Sequence, residues 1–368
     1  MDSKLLGLIV TFGKIFAITP SRNQAKKLKS KIYALVVITV LITASTVSVL
    51  YYRQPLYVSF TEVKLFVSIS MSLIVNFFNC YTVLAPVFCK EKQYCKLMKK
   101  LEDNVEMDKT WGKRVSLYLW FVLPNVIYLL VSFYVVSVWS DILGFEYYGE
   151  YFVEVVQLYF QFYYNYFLCV IVKIFLNRYK YVNFLLSEQL IYVKIRKTIS
   201  TKEYPISIGR IEDLICGLKE LNVIFNDIFG WPILMIILYS SLLMLNYLEE
   251  IFQNNFGYDN GQFLGVIISN ISVAVVTSTG TVSLILLCDS VLEEAKVTVL
   301  LSYKLRQYTL PKEKQEMSDF VKVLLDNFPE FTAAGFFSIT KTTIFHMIST
   351  VTTFFIIIIQ FNTNSANQ

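Results

Sequence analysis

The chain has 368 residues, of which 55% are hydrophobic and only 17% are charged. Its mean hydropathy is +0.53. Because soluble domains carry about 25% charged residues, this composition excludes a soluble protein and predicts one that lies in a membrane. The net charge of +5 does not indicate a nucleic-acid partner. The basic residues lie at the ends of the apolar runs, where they can contact membrane lipids. The sequence shows no surface of alternating aromatic and basic residues of the kind that binds nucleic acid.

The segment 1–31 begins with the apolar stretch MDSKLLGLIVTFGKIFAI. Lys14 interrupts this stretch, and a basic cluster follows it where a secretory signal would have small residues and a cleavage site. We therefore predict a cytosolic amphipathic helix that lies on the inner leaflet of the membrane.

Seven apolar runs follow, each long enough to cross a hydrocarbon core about 30 Å thick as a helix that rises about 1.5 Å per residue. They cover residues 32–52, 65–88, 115–139, 152–176, 223–247, 264–288 and 344–361. Each run is about twice as long as a tilted transmembrane β-strand. The sequence therefore predicts an all-α membrane protein with seven transmembrane helices.

Of the 33 Lys and Arg residues, Lys173 lies within span four, and the other 32 are unevenly distributed between the first segment and the connections. The segment before the first span has seven, and the second, fourth and sixth connections have eight, eight and seven. The first connection has only Arg53 and Lys64, and the third connection, the fifth connection and the final tail have none. Because basic connections stay in the cytoplasm, we predict a cytoplasmic amino terminus and an extracellular carboxyl terminus. This topology excludes a G-protein-coupled receptor, whose amino terminus lies outside.

Span four carries a polar stripe. Glu154, Gln157, Gln161 and Asn165 recur at helical spacing among many aromatic residues. Polar groups inside a membrane usually face the bundle interior or a cavity, because exposure to lipid is costly. We predict either a wet outer pocket for small, moderately polar ligands or an internal hydrogen-bond seam. The pocket prediction adds four residues of spans three to six: Trp139, Tyr164, Tyr239 and Asn270.

Two inner connections, 177–222 and 290–343, mix charged residues with Leu, Ile and Val at helical spacing. Prolines predict breaks at residues 204–205 and 310–311. We predict amphipathic cytosolic helices whose mixed charges face water, with those of 290–343 forming an anchor between subunits. Residues 32–289 then hold the first six spans and the ligand pocket.

The last span, 344–361, has one polar face. Thr353, Ile357 and Gln360 follow one another at helical spacing, and Phe361 ends the run. This face predicts either packing against other helices of the same chain or a water path between several copies. In such a path Ile357 and Phe361 are apolar constrictions and Gln360 is a neutral ring. Because the run has no acidic residue, we expect weak discrimination among cations.

The sequence has none of the motifs that hydrolases and nucleotide-binding enzymes share. His346 is the only histidine, and no Cys-x-x-Cys pair is present, so we predict no metal site. We therefore expect neither an enzyme nor a bound cofactor.

The stretch 331–361, FTAAGFFSITKTTIFHMISTVTTFFIIIIQF, resembles the carboxyl-terminal signature of insect gustatory receptors. In that signature Thr-Tyr is followed by five hydrophobic residues and then by Gln-Phe. Here Thr353 and Phe354 stand at the Thr-Tyr positions, and Gln360 and Phe361 close the motif. The resemblance places the chain in the seven-transmembrane insect chemoreceptor superfamily, which includes the odorant receptors.

This resemblance implies a ligand-gated cation channel in the plasma membrane of sensory neurons. It also implies a homotetramer, or a heteromer with related receptors, in which the last span of each subunit lines the pore. Gln360 and Phe361 then lie at the gate, the tail 362–368 is extracellular, and the outer pocket receives a small-molecule tastant.

Sugar-responsive members of the family tend to carry an acidic residue directly after the Thr-Tyr pair. This chain has Phe355 there, which favours a bitter or deterrent plant compound as the ligand. Two alternatives stay open: a sugar-responsive receptor channel, and a membrane transporter or non-channel receptor of inverted topology.

Overall fold

The computed structural model describes residues 2–20, 27–58, 60, 62–102, 117–199, 208–253 and 260–366. The helices, in chain order, are α1 (Asp2–Gly13), α2 (Lys27–Val47), α3 (Gln54–Val58), α4 (Glu62–Leu84), α5 (Glu91–Glu102), α6 (Leu117–Leu143), α7 (Glu146–Ile199), α8 (Ile208–Gln253), α9 (Asn260–Tyr308), α10 (Lys314–Asp326) and α11 (Lys341–Ala366). The shorter elements are π-helical turns at Ser48–Tyr52 and Ala85–Cys89, a 3₁₀ turn at Pro311–Glu313, and strands β1 (Thr332–Ala333) and β2 (Phe337–Ser338).

Seven of the described helices are long and apolar enough to cross a membrane, which confirms the predicted number of spans and the helical fold class. They cover Lys27–Tyr52, Glu62–Cys89, Phe121–Leu143, Glu146–Ile195, Ile208–Glu250, Phe263–Tyr308 and Lys341–Gln360. The direction in which each helix crosses stays a prediction.

Spans four, five and six belong to helices that are much longer than a bilayer requires. Helices α7, α8 and α9 have 54, 46 and 49 residues, whereas about 20 residues cross the hydrocarbon core. The additional residues belong to the amphipathic inner connections, which continue the spans as the same helices. The predicted break at 204–205 lies outside the described residues. The break at 310–311 is present, because α9 ends at Tyr308 and Pro311 begins a 3₁₀ turn.

Helix α1 forms as expected, but its apolar side meets protein. Leu6 and Ile9 are fully buried, and α1 packs mainly against α7. The Tyr163 hydroxyl donates a 2.5 Å hydrogen bond to the carbonyl of Ile9. The ring of Phe16, just beyond the helix, lies 5.5 Å from that of Tyr163. The aromatic side chains of span four thus give this segment a protein partner that the sequence alone did not reveal, and its position on the inner leaflet stays a prediction.

A hairpin of β1 and β2 leads directly into α11 and is fastened to α8. Asn226 of α8 donates a 2.6 Å hydrogen bond to the carbonyl of Glu330 and accepts one of 3.2 Å from the amide of Thr332. The turn contains Ala334 at φ 52°. Gly230 lies under this turn, where an added Cβ would be 2.9 Å from the amide nitrogen of Ala334. Only a glycine lets α8 and the turn approach this closely.

Phe331 anchors the same hairpin to α7 and α8. Its side chain is fully buried, and its ring lies edge-on to Phe175 at 5.9 Å and to Phe225 at 5.5 Å. Edge-to-face pairs of this kind add stability beyond the area they bury. The base of α11 is therefore held at a fixed position against α7 and α8.

Candidate ligand cavity and pore helix

A polar cavity of about 90 Å³ lies among α2, α4, α7 and α8. On the predicted topology it is on the outer side, since it contains the end of the first span and the start of the second. Hydroxyls, amides and charged groups dominate its wall. These polar groups belong to Ser45, Ser48, Arg53, Tyr57, Lys64, Ser68, Ser72, Tyr151, Glu154, Gln157, Tyr239, Asn246 and Glu250.

Arg53 forms the first of two ion pairs in the wall. Its Nη2 atom lies 2.5 Å from Glu154 Oε2, and its Nε atom donates a 2.8 Å hydrogen bond to the carbonyl of Glu150. The guanidinium also lies 4.5 Å from the centre of the Tyr151 ring. Burial by itself lowers the pKa of Arg53, but the nearby Glu154 and Tyr151 outweigh it and the pKa is raised. Arg53 is therefore a permanent cation.

Lys64 forms the second ion pair, with a carboxylate of α8. Its Nζ atom lies 3.8 Å from Glu250 Oε1, and Asn270 of α9 donates a 2.8 Å hydrogen bond to the other oxygen of the same carboxylate. The ammonium group lies 4.7 Å from the centre of the Phe60 ring. The wall therefore holds two basic and two acidic side chains, and each basic group faces an acidic one.

Sequence reasoning missed Arg53 and Lys64 as cavity residues. They are the only two basic residues that the charge distribution assigned to the outer side. Basic residues on the outer side do not help to orient the spans in the membrane. Their presence there was the available signal that they have another role. Both side chains point into the cavity wall, where they pair with Glu154 of α7 and Glu250 of α8.

The predicted seam and the predicted pocket coexist at Gln157. Its Nε2 atom donates a 3.1 Å hydrogen bond to Asn76, whose amide donates one of 3.1 Å to Ser45. Gln157 is buried and also lines the cavity, as do Glu154 and Tyr239. These contacts join the first, second and fourth spans around the cavity.

The other predicted pocket residues lie behind or away from the cavity wall. Gln161, Asn165 and Tyr164 are buried further along α7, where Tyr164 packs edge-on against Phe78 at 5.4 Å. Asn270 donates a hydrogen bond to Glu250 of the wall and does not itself line the described cavity. Trp139 is half-buried and absent from the described wall. A helical stripe predicts which face of the helix its side chains share. It does not predict how far along the helix a cavity extends.

Helix α11 buries one face against its own chain. Met347, Val351 and Ile358 are buried, and α8 is the main partner of this helix. Ile358 belongs to a cluster with Val67 of α4 and Leu243 of α8. This face fixes the rotation of α11 about its axis.

The polar face of α11 points the other way. Ser349, Thr353 and Gln360 each follow a buried residue by two positions, about 200° around the helix, and all three are exposed in the single chain. The described helices of the same chain therefore leave this face largely unburied. Ile357, with 38% of its surface exposed, lies at its flank. Phe361 continues the helix, but its side chain lies outside those that the structure describes.

A sequence-family model described as 7tm chemosensory receptor matches residues 6–365. The chain belongs to the 7tm chemosensory receptor family. This membership confirms the resemblance at the level of the insect chemoreceptor superfamily, while the gustatory branch stays a prediction. The family comprises multi-pass membrane receptors and is not a class of enzymes.

Two solved structures share the fold of this 7tm chemosensory receptor. The insect olfactory receptor OR5 from Machilis hrabei in complex with eugenol matches with a TM-score of 0.67 and 13% identity, over 98% of this chain and 100% of that chain. The structure of the same receptor without a named ligand matches with a TM-score of 0.68 and 13% identity, over 97% and 98%. No curated protein sequence matches the chain. At this identity the likeness establishes the fold alone.

Proposed function

We propose that this 7tm chemosensory receptor is a ligand-gated, weakly selective cation channel of the gustatory type in the plasma membrane of sensory neurons. Four copies, identical or related, surround a pore with α11, and the anchor helices of the inner connections join them. The observation that carries the proposal is the exposed polar face at Ser349, Thr353 and Gln360, which lies opposite the buried face of the same helix. Exposure of such a face to lipid is costly, and a water path between copies removes that cost.

The chemistry of α11 sets the expected conduction. The helix contains no Asp or Glu, so Gln360 contributes a ring of neutral amides and no carboxylate ring selects among cations. Ile357 and Phe361 supply apolar side chains on either side of it in the sequence. Narrow apolar rings exclude water until they widen, which makes these two positions the proposed gate.

The ligand is proposed to be a bitter or deterrent plant compound that occupies the outer cavity. Phe355 in place of an acidic residue supports this choice over a sugar. Four serine hydroxyls line the cavity, which favours a hydroxylated compound such as a plant glycoside over a lipophilic amine. The same hydroxyls are the specific observation in favour of the alternative, a sugar-responsive channel. The structural relative in complex with eugenol supports a small molecule as the ligand.

Expression of the chain in oocytes tests the proposal. Quinine, the phenolic glucoside salicin, sucrose and fructose are applied while current is recorded in sodium and potassium solutions. We expect an evoked current that reverses near zero, with the largest response to salicin and smaller responses to quinine and the sugars. Sugar-evoked current alone would select the alternative ligand class. Saturable uptake without channel current would contradict the channel.

The gate assignment is tested by Gln360→Ala and Phe361→Ala, each recorded at equal surface expression. Both variants should raise the basal current, because a smaller side chain widens the constriction. Ile348→Ala is the matched control, since Ile348 is exposed on a different side of the same helix. Unchanged basal and evoked currents in both gate variants would show that the gate lies elsewhere.

A further inference from the structure

Three side chains belong both to the wall of the outer cavity and to the buried cluster behind it. Met71 and Val75 of α4 and Tyr239 of α8 line the cavity. The same three residues belong to the cluster that contains Ile358 of the pore helix, and Phe355 packs against this cluster. Met71, Val75 and Tyr239 therefore form a shared layer that joins the cavity wall to the cluster containing Ile358.

Tyr239 differs from the other two members of this layer because it has a polar end. Its side chain is only 1% exposed, and its hydroxyl has no hydrogen-bond partner among the residues that the structure describes. A buried phenol without a partner is unusual, since hydroxyls normally find one. The cavity that Tyr239 lines is where a ligand atom can supply that partner.

We propose that Tyr239 couples occupancy of the cavity to the pore helix. An uncharged oxygen of the ligand, as a hydroxyl, ether or carbonyl, hydrogen-bonds to the Tyr239 hydroxyl and displaces the ring. The cluster around Ile358 repacks, because close-packed side chains cannot absorb a displaced ring without moving. The inference rests on the proposed channel function and names the residue and the ligand group through which it operates.

The position of Ile358 explains why a small displacement suffices. Ile358 precedes Gln360 by two residues on the same helix. A rotation of α11 that follows repacking of Ile358 turns Gln360 and Ile357 relative to the pore axis. The charges of the wall do not compete for the ligand, because Arg53 and Lys64 already face Glu154 and Glu250. This arrangement favours an uncharged ligand over a cation.

A covalent probe tests the inference without knowledge of the natural agonist. Tyr239→Cys is expressed in oocytes and treated from outside with hydroxyethyl methanethiosulfonate, which leaves a small uncharged hydroxyl group on the cysteine. Labelling of the purified protein is measured by mass spectrometry, and the cation current is recorded before and after treatment. We expect labelling together with a several-fold change in current.

The matched control is Leu238→Cys, because Leu238 is the neighbouring residue, is 42% exposed and does not line the cavity. Labelling at this position should leave the current unchanged. The wild-type chain reports any reaction of the native cysteines. If Tyr239→Cys does not reach the surface, Met71→Cys from the same layer takes its place.

Each outcome decides the inference. Labelled Tyr239→Cys with unchanged current overturns the coupling, and failure to label it overturns access from the cavity. Adding Ile358→Ala to Tyr239→Cys should preserve labelling and abolish the current response; a persistent response would overturn the route through the cluster. Absence of current in the wild-type chain and in every variant, at normal surface expression, would instead refute the proposed channel function.

Discussion

The carboxylate of Glu154 illustrates how much a single side chain can determine in this cavity. It is the partner of Arg53, which has only 8% of its surface exposed. A buried cation that loses its partner destabilises the fold far more than the intact pair stabilises it. The wall of the cavity therefore depends on the pair being complete.

We predict that Glu154→Gln lowers the free energy of unfolding by about 1–3 kcal/mol, because Arg53 keeps its charge and loses its counterion. The midpoint of thermal unfolding in detergent, followed by size-exclusion chromatography after heating, measures the loss. Glu293→Gln is the control, since its ion pair with Lys296 is on the surface, with side chains 52% and 62% exposed. It should not change the midpoint measurably. Equal midpoints for Glu154→Gln and the wild-type chain would contradict the structural importance of the pair.

Helix α1 depends on a packing partner that no local pattern reveals. Its leucines have the same chemistry but different surroundings: Leu6 is fully buried, whereas Leu8 is 39% exposed. A helix lying on lipid would show no such contrast in stability between its apolar residues. The packing of α1 against α7 can therefore be tested by comparing the two leucines.

Leu6→Ala should lower the free energy of unfolding by about 2–5 kcal/mol, as a buried Leu→Ala change does in a packed core. Leu8→Ala should change it by no more than about 0.5 kcal/mol. The same detergent assay measures both variants. A similar small effect for the two would favour the leaflet position that the sequence predicts.

Because only one of two glycines in α8 contacts the hairpin, we expect substitution by alanine to change the free energy of unfolding in opposite directions at the two positions. Gly230→Ala puts a Cβ 2.9 Å from the backbone of Ala334, and we predict a loss of about 1–3 kcal/mol in the free energy of unfolding. Gly217→Ala meets nothing within 4 Å and should gain about 0.5–1 kcal/mol, because alanine favours the helix. Chemical or thermal denaturation of the two variants provides the comparison. A gain at both positions would mean that the hairpin does not approach α8 as described.

The elements divide into those that the sequence predicts and those that it does not. Apolar runs and proline positions were enough for the seven spans and for the end of α9 at Tyr308. Amphipathic periodicity did not show that α7 continues unbroken for 54 residues, because the same pattern fits one helix or two. Gln157 and Tyr239 were predicted from their spacing and neighbours, whereas Arg53 was missed because connections carry no periodicity that indicates direction.

Considered as a whole, the molecule combines a polar cavity with two ion pairs, a set of long helices and a last helix whose polar face is exposed in the single chain. Helices α7, α8 and α9 each continue from an apolar span into an inner connection without a break in the helix. The sidedness of this arrangement is a prediction of the charge distribution, and it has its own test.

An acceptor Asn-x-Ser/Thr introduced in the fifth connection, between residues 256 and 261, should be glycosylated in cells. One introduced in the fourth connection, between residues 198 and 203, should not be. The gel mobility of each variant before and after glycosidase treatment reads out the modification. Both sites lie largely outside the described residues, so the test depends on topology alone. The opposite pattern would reverse the predicted orientation of all seven spans.

The single helix α8 carries both the hairpin contact at Gly230 and the cavity residue Tyr239, with Pro232 between them. The two residues are nine positions apart, about two and a half turns, so they face opposite sides of the helix. Inserting or deleting one residue between them would rotate one site by about 100° relative to the other. Variation in length should therefore be tolerated in the outer connections of related chains and forbidden between these two positions. The spacing of Gly230 and Tyr239 fixes the angle between the two sites around α8, and only insertions or deletions close to whole helical turns preserve that angle.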